Sequence, residues 1–198
     1  FVVDNGNFRV QKFDSQGNFI LAFGGEGAGT GDFTRAIGIA MDHTGNVYVT
    51  DDSVPFVQIF DNQGIFLRQF GGEGREPGHF RHATGISLDA EGQIYVADYA
   101  VKRLQVFDHE GNFLREWEIG HESAFPGTPE GLAVDAQGRV YVTDYGLGKV
   151  EVYTPQGEYL ASFGGAQLSA PVDIAIDPEG LVYVTDQTTH RLQVYRIK

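Results

Sequence analysis

The sequence contains no cysteine, one tryptophan and one methionine, and it has few basic residues. Without cysteine the chain can form no disulfide, and it offers no thiol nucleophile or thiolate metal ligand. Its 14 Lys and Arg residues are outnumbered by 27 Asp and Glu residues, which gives a formal net charge of −13. Such a surface repels phosphate backbones, so we expect no nucleic-acid partner.

Long hydrophobic runs are also missing. No segment approaches the roughly 18 consecutive apolar residues of a membrane span, and no positively charged start leads into an apolar signal region. We therefore expect no membrane insertion. The absence of cysteine fits an exported protein and a cytoplasmic protein equally, so composition leaves the compartment open.

The chain is rich in repetition. A run such as Val-Tyr-Val-Thr-Asp, followed by a short polar turn and a second β-rich run, recurs along the whole sequence. One aspartate ends the first run of each copy: Asp4, Asp51, Asp98, Asp144 and Asp186. The steps between these residues are 47, 47, 46 and 42, a period typical of propellers whose units are small sheets.

Each unit contains four strand-like runs, which we denote a, b, c and d. In the second unit they begin at Ala36, Asn46, Phe56 and Ile65. Runs a and b, and likewise runs c and d, are joined by Asp-x-x-Gly or a close variant, which suits a tight hairpin. Run b is apolar at consecutive positions, which indicates burial on both faces. An all-β propeller of four-stranded antiparallel blades provides that cover, and we expect essentially no helix.

The same runs resemble the NHL repeat family: Gly-Ile-Ala-x-Asp, then Val-Tyr-Val-x-Asp, then Arg-Leu-Gln-Val-Phe or Arg-Leu-Gln-Val-Tyr, then Phe-Gly-Gly. The resemblance extends over nearly the whole chain and implies an NHL-type propeller, of five blades or as part of a six-bladed ring. It slightly favours an extracellular or periplasmic location. NHL propellers serve as binding platforms, sensor domains, RNA-binding modules and metal-assisted lyases or hydrolases, so the resemblance implies no single function.

We expect one domain over residues 1–198. Its blade units are roughly 1–25, 26–72, 73–120, 121–165 and 166–198, of which the first and last are partial. The runs number 18, whereas six blades of four strands would contain 24. Since Phe1 already lies in a strand pattern, we expect the remaining strands to come from the rest of a longer chain or from another subunit. A five-bladed ring with two three-stranded end blades is the alternative.

The b–c turns and d–a connections vary between copies and emerge at one end of the propeller, where we expect a site. Tyr and Arg are favoured at interfaces, so one set of candidates would bind a partner: Tyr99, Lys102, Tyr145, His190 and Arg75. A second set stands just before inner strands at the channel entrance and would hold zinc or calcium: His82, Glu130 and Asp173. Further carboxylates that are not shared between copies are Asp32, Asp52 and Glu122.

Recognised catalytic motifs are missing from the sequence. There is no Gly-x-Ser-x-Gly elbow, and no Gly-rich stretch is followed by Lys-Ser or Lys-Thr. The aspartates shared by all copies are interpreted as turn caps. We therefore predict a non-catalytic scaffold, without a cofactor, that binds a protein, a peptide or a small ligand. The alternative is a lyase or hydrolase at the channel mouth that depends on calcium or zinc.

Overall fold

A computed structural model describes residues 1–120 and 127–196. Within these ranges the chain forms strands and turns but no α-helix, and two short 3-10 turns cover Asn5–Asn7 and Gly165–Gln167. The predicted all-β fold is therefore confirmed. No helix of the described part is long and apolar enough to cross a membrane.

The strands form antiparallel sheets that follow one another along the chain. The first sheet contains β1 (Val2–Asp4), β2 (Arg9–Phe13) and β3 (Phe19–Phe23). The second contains β4 (Ala36–Met41), β5 (Val47–Asp51), β6 (Phe56–Phe60) and β7 (Phe66–Gly71). The third contains β8 (Ala83–Leu88), β9 (Ile94–Asp98), β10 (Arg103–Phe107) and β11 (Phe113–Glu118). The fourth contains β12 (Pro129–Val134), β13 (Val140–Asp144), β14 (Lys149–Tyr153) and β15 (Tyr159–Phe163), and the fifth contains β16 (Pro171–Ile176), β17 (Leu181–Asp186) and β18 (Arg191–Arg196).

The five sheets stand around a central channel as propeller blades. Their inner strands β4, β8, β12 and β16 pack side by side in chain order, and β1 packs against β4. Three glycines allow this approach: a Cβ at Gly38 or Gly85 would lie 2.4 Å from a carbonyl oxygen of the next inner strand, and one at Gly131 would lie 2.6 Å from it. The inner strands therefore meet backbone to backbone, where no side chain fits.

The core lies between consecutive blades. All residues of β5, β9 and β13 are buried, which confirms that strand b is covered on both faces. The tyrosine of this strand turns its hydroxyl towards the a–b hairpin: Tyr95 donates to Asp89 and Tyr141 donates to Asp135, each at 3.1 Å. Burial, and then the neighbouring aspartate, raises the pKa of both tyrosines to about 12. The repeated Tyr-Val sequence thus serves the packing of the blades.

The Asp-x-x-Gly segments form tight hairpins, as predicted. In the first a–b hairpin, Asp42 Oδ1 accepts the backbone N–H groups of Thr44 and Asn46, each at 2.9 Å. Gly45 closes the turn with a φ of 92°, a conformation that side-chain-bearing residues rarely adopt. These hairpins lie at the end of the propeller opposite the b–c turns and d–a connections.

Candidate functional site

The end of the propeller that carries the b–c turns and d–a connections, called the mouth here, is anchored by the repeated aspartates. Asp51 is buried, and its Oδ2 accepts the backbone N–H groups of Thr34 and Arg35 at 2.7 and 2.8 Å. Its Oδ1 accepts those of Ser53 and Val54 at 2.9 and 3.0 Å. One carboxylate thus fastens both the preceding d–a connection and the following b–c turn. This confirms the interpretation of Asp51 as a cap, and Asp98, Asp144 and Asp186 accept backbone N–H groups in the same way. Asp4 differs, because it accepts bonds from side chains of the first blade.

A second backbone contact repeats at the mouth. In the second to fifth blades, the residue after the anchoring aspartate donates its N–H to the carbonyl of the residue that precedes strand a. The pairs are Asp52 with Arg35 at 3.1 Å, Tyr99 with His82 at 3.0 Å, Tyr145 with Thr128 at 2.9 Å, and Gln187 with Ala170 at 2.9 Å. Each of these four blades therefore presents two non-repeating side chains next to each other at the channel entrance.

Five of the mouth residues form an electrostatically linked group, called the mouth cluster here: Arg35, Asp52, Tyr99, Lys102 and Glu130. Arg35 Nη1 pairs with Asp52 Oδ2 at 2.9 Å. The Lys102 ammonium lies 4.2 Å from the centroid of the Tyr99 ring, which is a cation–π contact, and 3.3 Å from the hydroxyl of Thr128. The cluster is carried by the second, third and fourth blades and includes charges of both signs.

Glu130 is the group of the mouth cluster whose protonation the fold changes most. Burial, and then the Asp52 carboxylate, raises the pKa of its carboxyl group to about 7, although Arg35 and Lys102 oppose the shift. Near neutral pH this carboxyl group therefore exists in both forms. It can accept a hydrogen bond or an ion pair when ionised, and it can donate a proton when neutral.

A cavity of about 170 Å³ lies in the channel, and Glu130 of the mouth cluster forms part of its wall. Its walls come from four inner strands: Ile37, Gly38, Ile39, Gly85, Ile86, Glu130, Gly131, Leu132, Val172 and Asp173. Most of these residues are apolar or glycine, and the charged ones are the two carboxylates. Each contributing strand has a register irregularity near its start, and in β12 this irregularity lies between Pro129 and Leu132, where Glu130 is located.

The predicted metal candidates are only partly brought together. Glu130 and Asp173 both line the channel, but they lie inside β12 and β16 and not before these strands, which corrects their predicted position. His82 is exposed and directly precedes β8. Among the residues that the structure describes, no three His, Asp or Glu side chains stand together in a group that could hold a metal ion.

The predicted partner-binding residues are spread over the mouth. Tyr99 and Lys102 are in contact, and the Tyr145 hydroxyl lies 3.5 Å from the side-chain carbonyl of Gln187. His190 is exposed and has a left-handed backbone, with a φ of 54°. Arg75 is exposed on the second d–a connection, where its carbonyl accepts a bond from Arg103 Nη1 at 2.8 Å.

The other unshared carboxylates have different positions. Asp52 belongs to the mouth cluster, whereas Asp32 packs within its own d–a connection, where its side chain fills the space beside Gly25 and Gly27. Glu122 lies outside the described residues. Arg103, which we expected beside Lys102 and Arg75 on the rim, is instead buried and fastens the second d–a connection by bonds to the carbonyls of Arg75, Glu76 and His79.

Two family descriptions match the sequence. A family described as a 6-bladed β-propeller matches residues 37–133, and the NHL repeat matches residues 127–153 and 168–195. Among curated proteins, none is significantly similar in sequence to the chain.

Solved structures with similar folds include two lyases. A streptogramin B lyase superposes with a TM-score of 0.71 at 14% identity, over 98% of this chain and 64% of that one. A catalytically inactive virginiamycin B lyase from Staphylococcus aureus, solved with quinupristin, gives a TM-score of 0.68 at 13% identity, over 96% of this chain and 63% of that one. A protein of unknown function from Bacteroides caccae gives 0.64 at 12% identity, over 97% and 70%.

The chain thus spans less than two thirds of the length of these lyases. At identities of 12–14% the likeness concerns the fold. Together with the repeated sheets and the two sequence matches, it leads to one assignment. The chain carries NHL repeats and has the fold of an NHL-type β-propeller.

Proposed function

We propose that this protein is a non-catalytic binding scaffold whose mouth receives a basic side chain of a protein or peptide partner. The observation that carries the proposal is the size and lining of the channel cavity. Its volume is about 170 Å³, and two carboxylates are the only charged groups among the residues that line it.

The cavity volume favours a single side chain over a larger molecule. An apolar cavity of about 150 Å³ holds one benzene molecule, whereas pockets for drug-sized ligands begin at about 300 Å³. A lysine or arginine side chain combines an apolar stem with a charged head. The stem would contact the aliphatic walls at Ile86 and Leu132, and the head would meet Glu130 and Asp173.

The rim of the mouth supplies the surface for the rest of such a partner. Tyr99 and Tyr145 are half-buried, so each ring is held in place while part of it faces solvent. Rigid aromatic side chains of this kind contribute strongly to interfaces because little side-chain entropy is lost when they bind. The overall charge of −13 attracts a basic partner from a distance.

A display library of linear peptides, selected on the immobilised protein, tests this proposal. We expect selected peptides to be enriched in Lys or Arg, and the enrichment to disappear with the double variant Glu130→Gln/Asp173→Asn. Glu110→Gln/Glu179→Gln is the matched control, because it also removes two carboxylate charges but lies in exposed hairpins at the opposite end of the propeller. Selected peptides without basic residues, or with unchanged affinity for the double variant, would contradict the proposal.

The pH dependence of peptide binding provides a second measurement. With a carboxyl pKa of about 7 for Glu130, the ionised fraction rises about tenfold between pH 6 and pH 8. Affinity for a basic peptide should increase by up to the same factor, and Glu130→Gln should flatten the profile. Replacing Tyr99 and Tyr145 by Ala should weaken binding at both pH values by a similar factor.

A lyase or hydrolase with its site at the mouth is the second candidate. The observation that favours it is the carboxyl pKa of Glu130, because a general acid or base works best when its pKa lies near the operating pH. Incubation of the chain with quinupristin and added Ca²⁺ or Zn²⁺, followed by mass spectrometry, tests it directly. Under the scaffold proposal the compound keeps its mass and chromatographic mobility. Turnover that is lost in Glu130→Gln and His82→Ala would replace the scaffold with the enzyme.

A further inference from the structure

The side chain of Lys102 crosses from the third blade to the fourth at the mouth. Lys102 lies on the third b–c turn, and its Nζ is 4.2 Å from the centroid of the Tyr99 ring on the same turn. The same nitrogen donates to Thr128 Oγ1 at 3.3 Å, and Thr128 directly precedes β12, the strand that contains Glu130. The ammonium group therefore joins the rim of the mouth to a strand of the cavity wall.

The repeat does not require a lysine at this position, which lies four residues after the repeated aspartate. The residue there has a left-handed backbone in four of the five blades: φ is 54° at Phe8, 68° at Lys102, 62° at Gly148 and 54° at His190. The second blade has Pro55 instead. Five different side chains thus occupy one position of the repeat, so the turn itself does not explain the lysine of the third blade.

The two cations of the mouth cluster are held in different ways. Arg35 forms an ion pair of 2.9 Å with Asp52, which is buried. Within the part of the chain that the structure describes, Lys102 forms no ion pair, and its ammonium contacts the Tyr99 ring and the Thr128 hydroxyl. Cation–π contacts at exposed sites are weak, and a distance of 3.3 Å is long for a hydrogen bond. The Lys102 ammonium can therefore leave its position without breaking an ion pair.

Lys102 makes contacts of the kind that the partner's basic group would make. A basic side chain at the mouth would also approach the face of the Tyr99 ring and the carboxyl group of Glu130. The Lys102 ammonium already acts on that carboxyl group, because it opposes the rise of its pKa. Two positive charges repel each other, most strongly where little water separates them. A basic group that approaches Glu130 is therefore repelled by Lys102 as long as Lys102 stays in place.

We propose that Lys102 is a tethered competitor that regulates entry into the mouth: its ammonium occupies the face of the Tyr99 ring, and a basic side chain of the partner enters only by displacing it. This inference rests on the proposed function. Because the exchange at the Tyr99 ring replaces one cation by another, the net gain in affinity must come from the cavity, through Glu130, Asp173 and the aliphatic walls. Lys102 thus favours partners whose basic side chain reaches the cavity over those that offer only positive charge.

NMR titration with two acetylated and amidated peptides tests the inference. One is Gly-Ser-Lys-Ser-Gly, and the other has norleucine in place of lysine. Lys102→Met keeps the stem of the side chain and removes the ammonium group. Lys12→Met is the matched control, because the Lys12 ammonium bonds to the carbonyl of Asn62 at the opposite end of the propeller.

We expect Lys102→Met to bind the lysine peptide about three- to tenfold more tightly than the unchanged chain does, because a competing and repelling charge is removed. The affinity of Lys102→Met for the norleucine peptide, and that of Lys12→Met for either peptide, should change by less than about twofold.

Lys102→Gly is a second variant that preserves the turn, because Gly148 has nearly the same φ at the equivalent position. It should bind the lysine peptide more tightly by a similar factor. A further measurement needs no peptide: NMR titration of the Glu130 carboxyl carbon should give a higher pKa in both Lys102 variants, since the cation that opposes the shift is gone.

The possible results separate this inference from the proposed function. If the unchanged chain prefers the lysine peptide to the norleucine peptide, but both Lys102 variants bind the lysine peptide equally or more weakly, the inference is wrong and the proposed function stands. If Lys102→Met gains equally for both peptides, its apolar side chain causes the gain, and the inference is also wrong. If neither the unchanged chain nor the variants prefer the lysine peptide, the proposed function fails, and the inference fails with it.

Discussion

The two ends of the propeller use the same residue type in different ways. At the hairpin end, Asp108 is half-buried, and its Oδ1 accepts the N–H groups of two exposed residues, Glu110 and Asn112, which lie two and four positions later, each at 2.9 Å. At the mouth, Asp98 is buried and accepts the N–H groups of Arg81 and His82, which precede it by 17 and 16 residues. One aspartate forms a local turn, and the other joins segments that are distant in sequence.

This difference explains why the side chains of the mouth can vary between blades while its backbone shape stays the same. Four of the repeated aspartates bind backbone N–H groups, so the side chain of the bound residue is free to differ: Asp51, Asp98, Asp144 and Asp186. The position before strand a carries a different residue in each of four blades: Arg35, His82, Thr128 and Ala170. In all four blades its carbonyl accepts a bond from the N–H group of the residue that follows strand b. The mouth is therefore a fixed backbone framework that carries non-repeating side chains.

Removing an anchoring aspartate should produce the largest effect. Asp98→Ala leaves the N–H groups of Arg81, His82 and Val101 without their acceptor in a buried region. At roughly 1 kcal/mol for each lost bond, we expect the free energy of unfolding to fall by about 3 kcal/mol. Urea denaturation measures this loss.

Asp108→Ala is the control from the other end. It removes the same chemical group from an exposed turn whose N–H groups can bond to water, so the loss should be much smaller. If both variants lose the same free energy of unfolding, the long-range bonds of Asp98 contribute no more to stability than the local turn bonds of Asp108.

Most of the fold could be predicted from the sequence because it depends on repeated local patterns. The period of the aspartates, the Asp-x-x-Gly turns and the apolar run b specify short hairpins with two buried faces, and these hairpins are present. The register irregularities of the inner strands could not be predicted. They arise where backbones of different blades meet at glycines such as Gly85 and Gly131, and no pattern within one repeat reports that contact.

The mouth could be predicted in outline but not in its pairings. Non-repeating residues at the variable end identified Tyr99, Lys102 and Glu130 as candidates. The Arg35–Asp52 pair was missed, although antiparallel pairing of strands a and b places the residue before a opposite the residue after b. Residues on different blades, such as Glu130 and Asp52, are brought together only by the curvature of the ring.

Replacement of the mouth residue Glu130 should stabilise the fold, whereas replacement of an anchoring aspartate should destabilise it. The folded state raises the pKa of Glu130 from 4.5 to about 7, so it binds a proton more tightly than the unfolded chain does. The contribution of Glu130 to the free energy of unfolding is therefore greatest below pH 4.5, and this contribution is lost as the pH rises towards 7. After allowance for partial solvent exposure, Glu130→Gln should raise the free energy of unfolding at pH 8 by about 1 to 2 kcal/mol.

At pH 5 the same substitution should have little effect, because the carboxyl group of the folded protein is then already neutral. Denaturation curves at the two pH values distinguish the cases. A stabilisation of equal size at pH 5 and pH 8 would assign the effect to packing, and a loss of stability at pH 8 would mean that the ionised carboxylate is a structural contact like the anchoring aspartates.

The smallest expected effect concerns Lys102, whose backbone is left-handed with a φ of 68°. The equivalent position of the next blade is Gly148, with a φ of 62°. Lys102→Gly removes the contact with Tyr99 but also relieves the backbone strain, and each term is about 1 kcal/mol, so stability should change by less than about 0.5 kcal/mol. Lys102→Ala removes the same contact and keeps the strain, and it should be less stable than the Gly variant by about 1 kcal/mol. If Lys102→Gly is the less stable of the two, the left-handed backbone at this position carries no strain that glycine relieves. If Lys102→Gly is instead less stable than the unchanged protein by much more than about 0.5 kcal/mol, the ammonium and its stem contribute to the framework of the mouth.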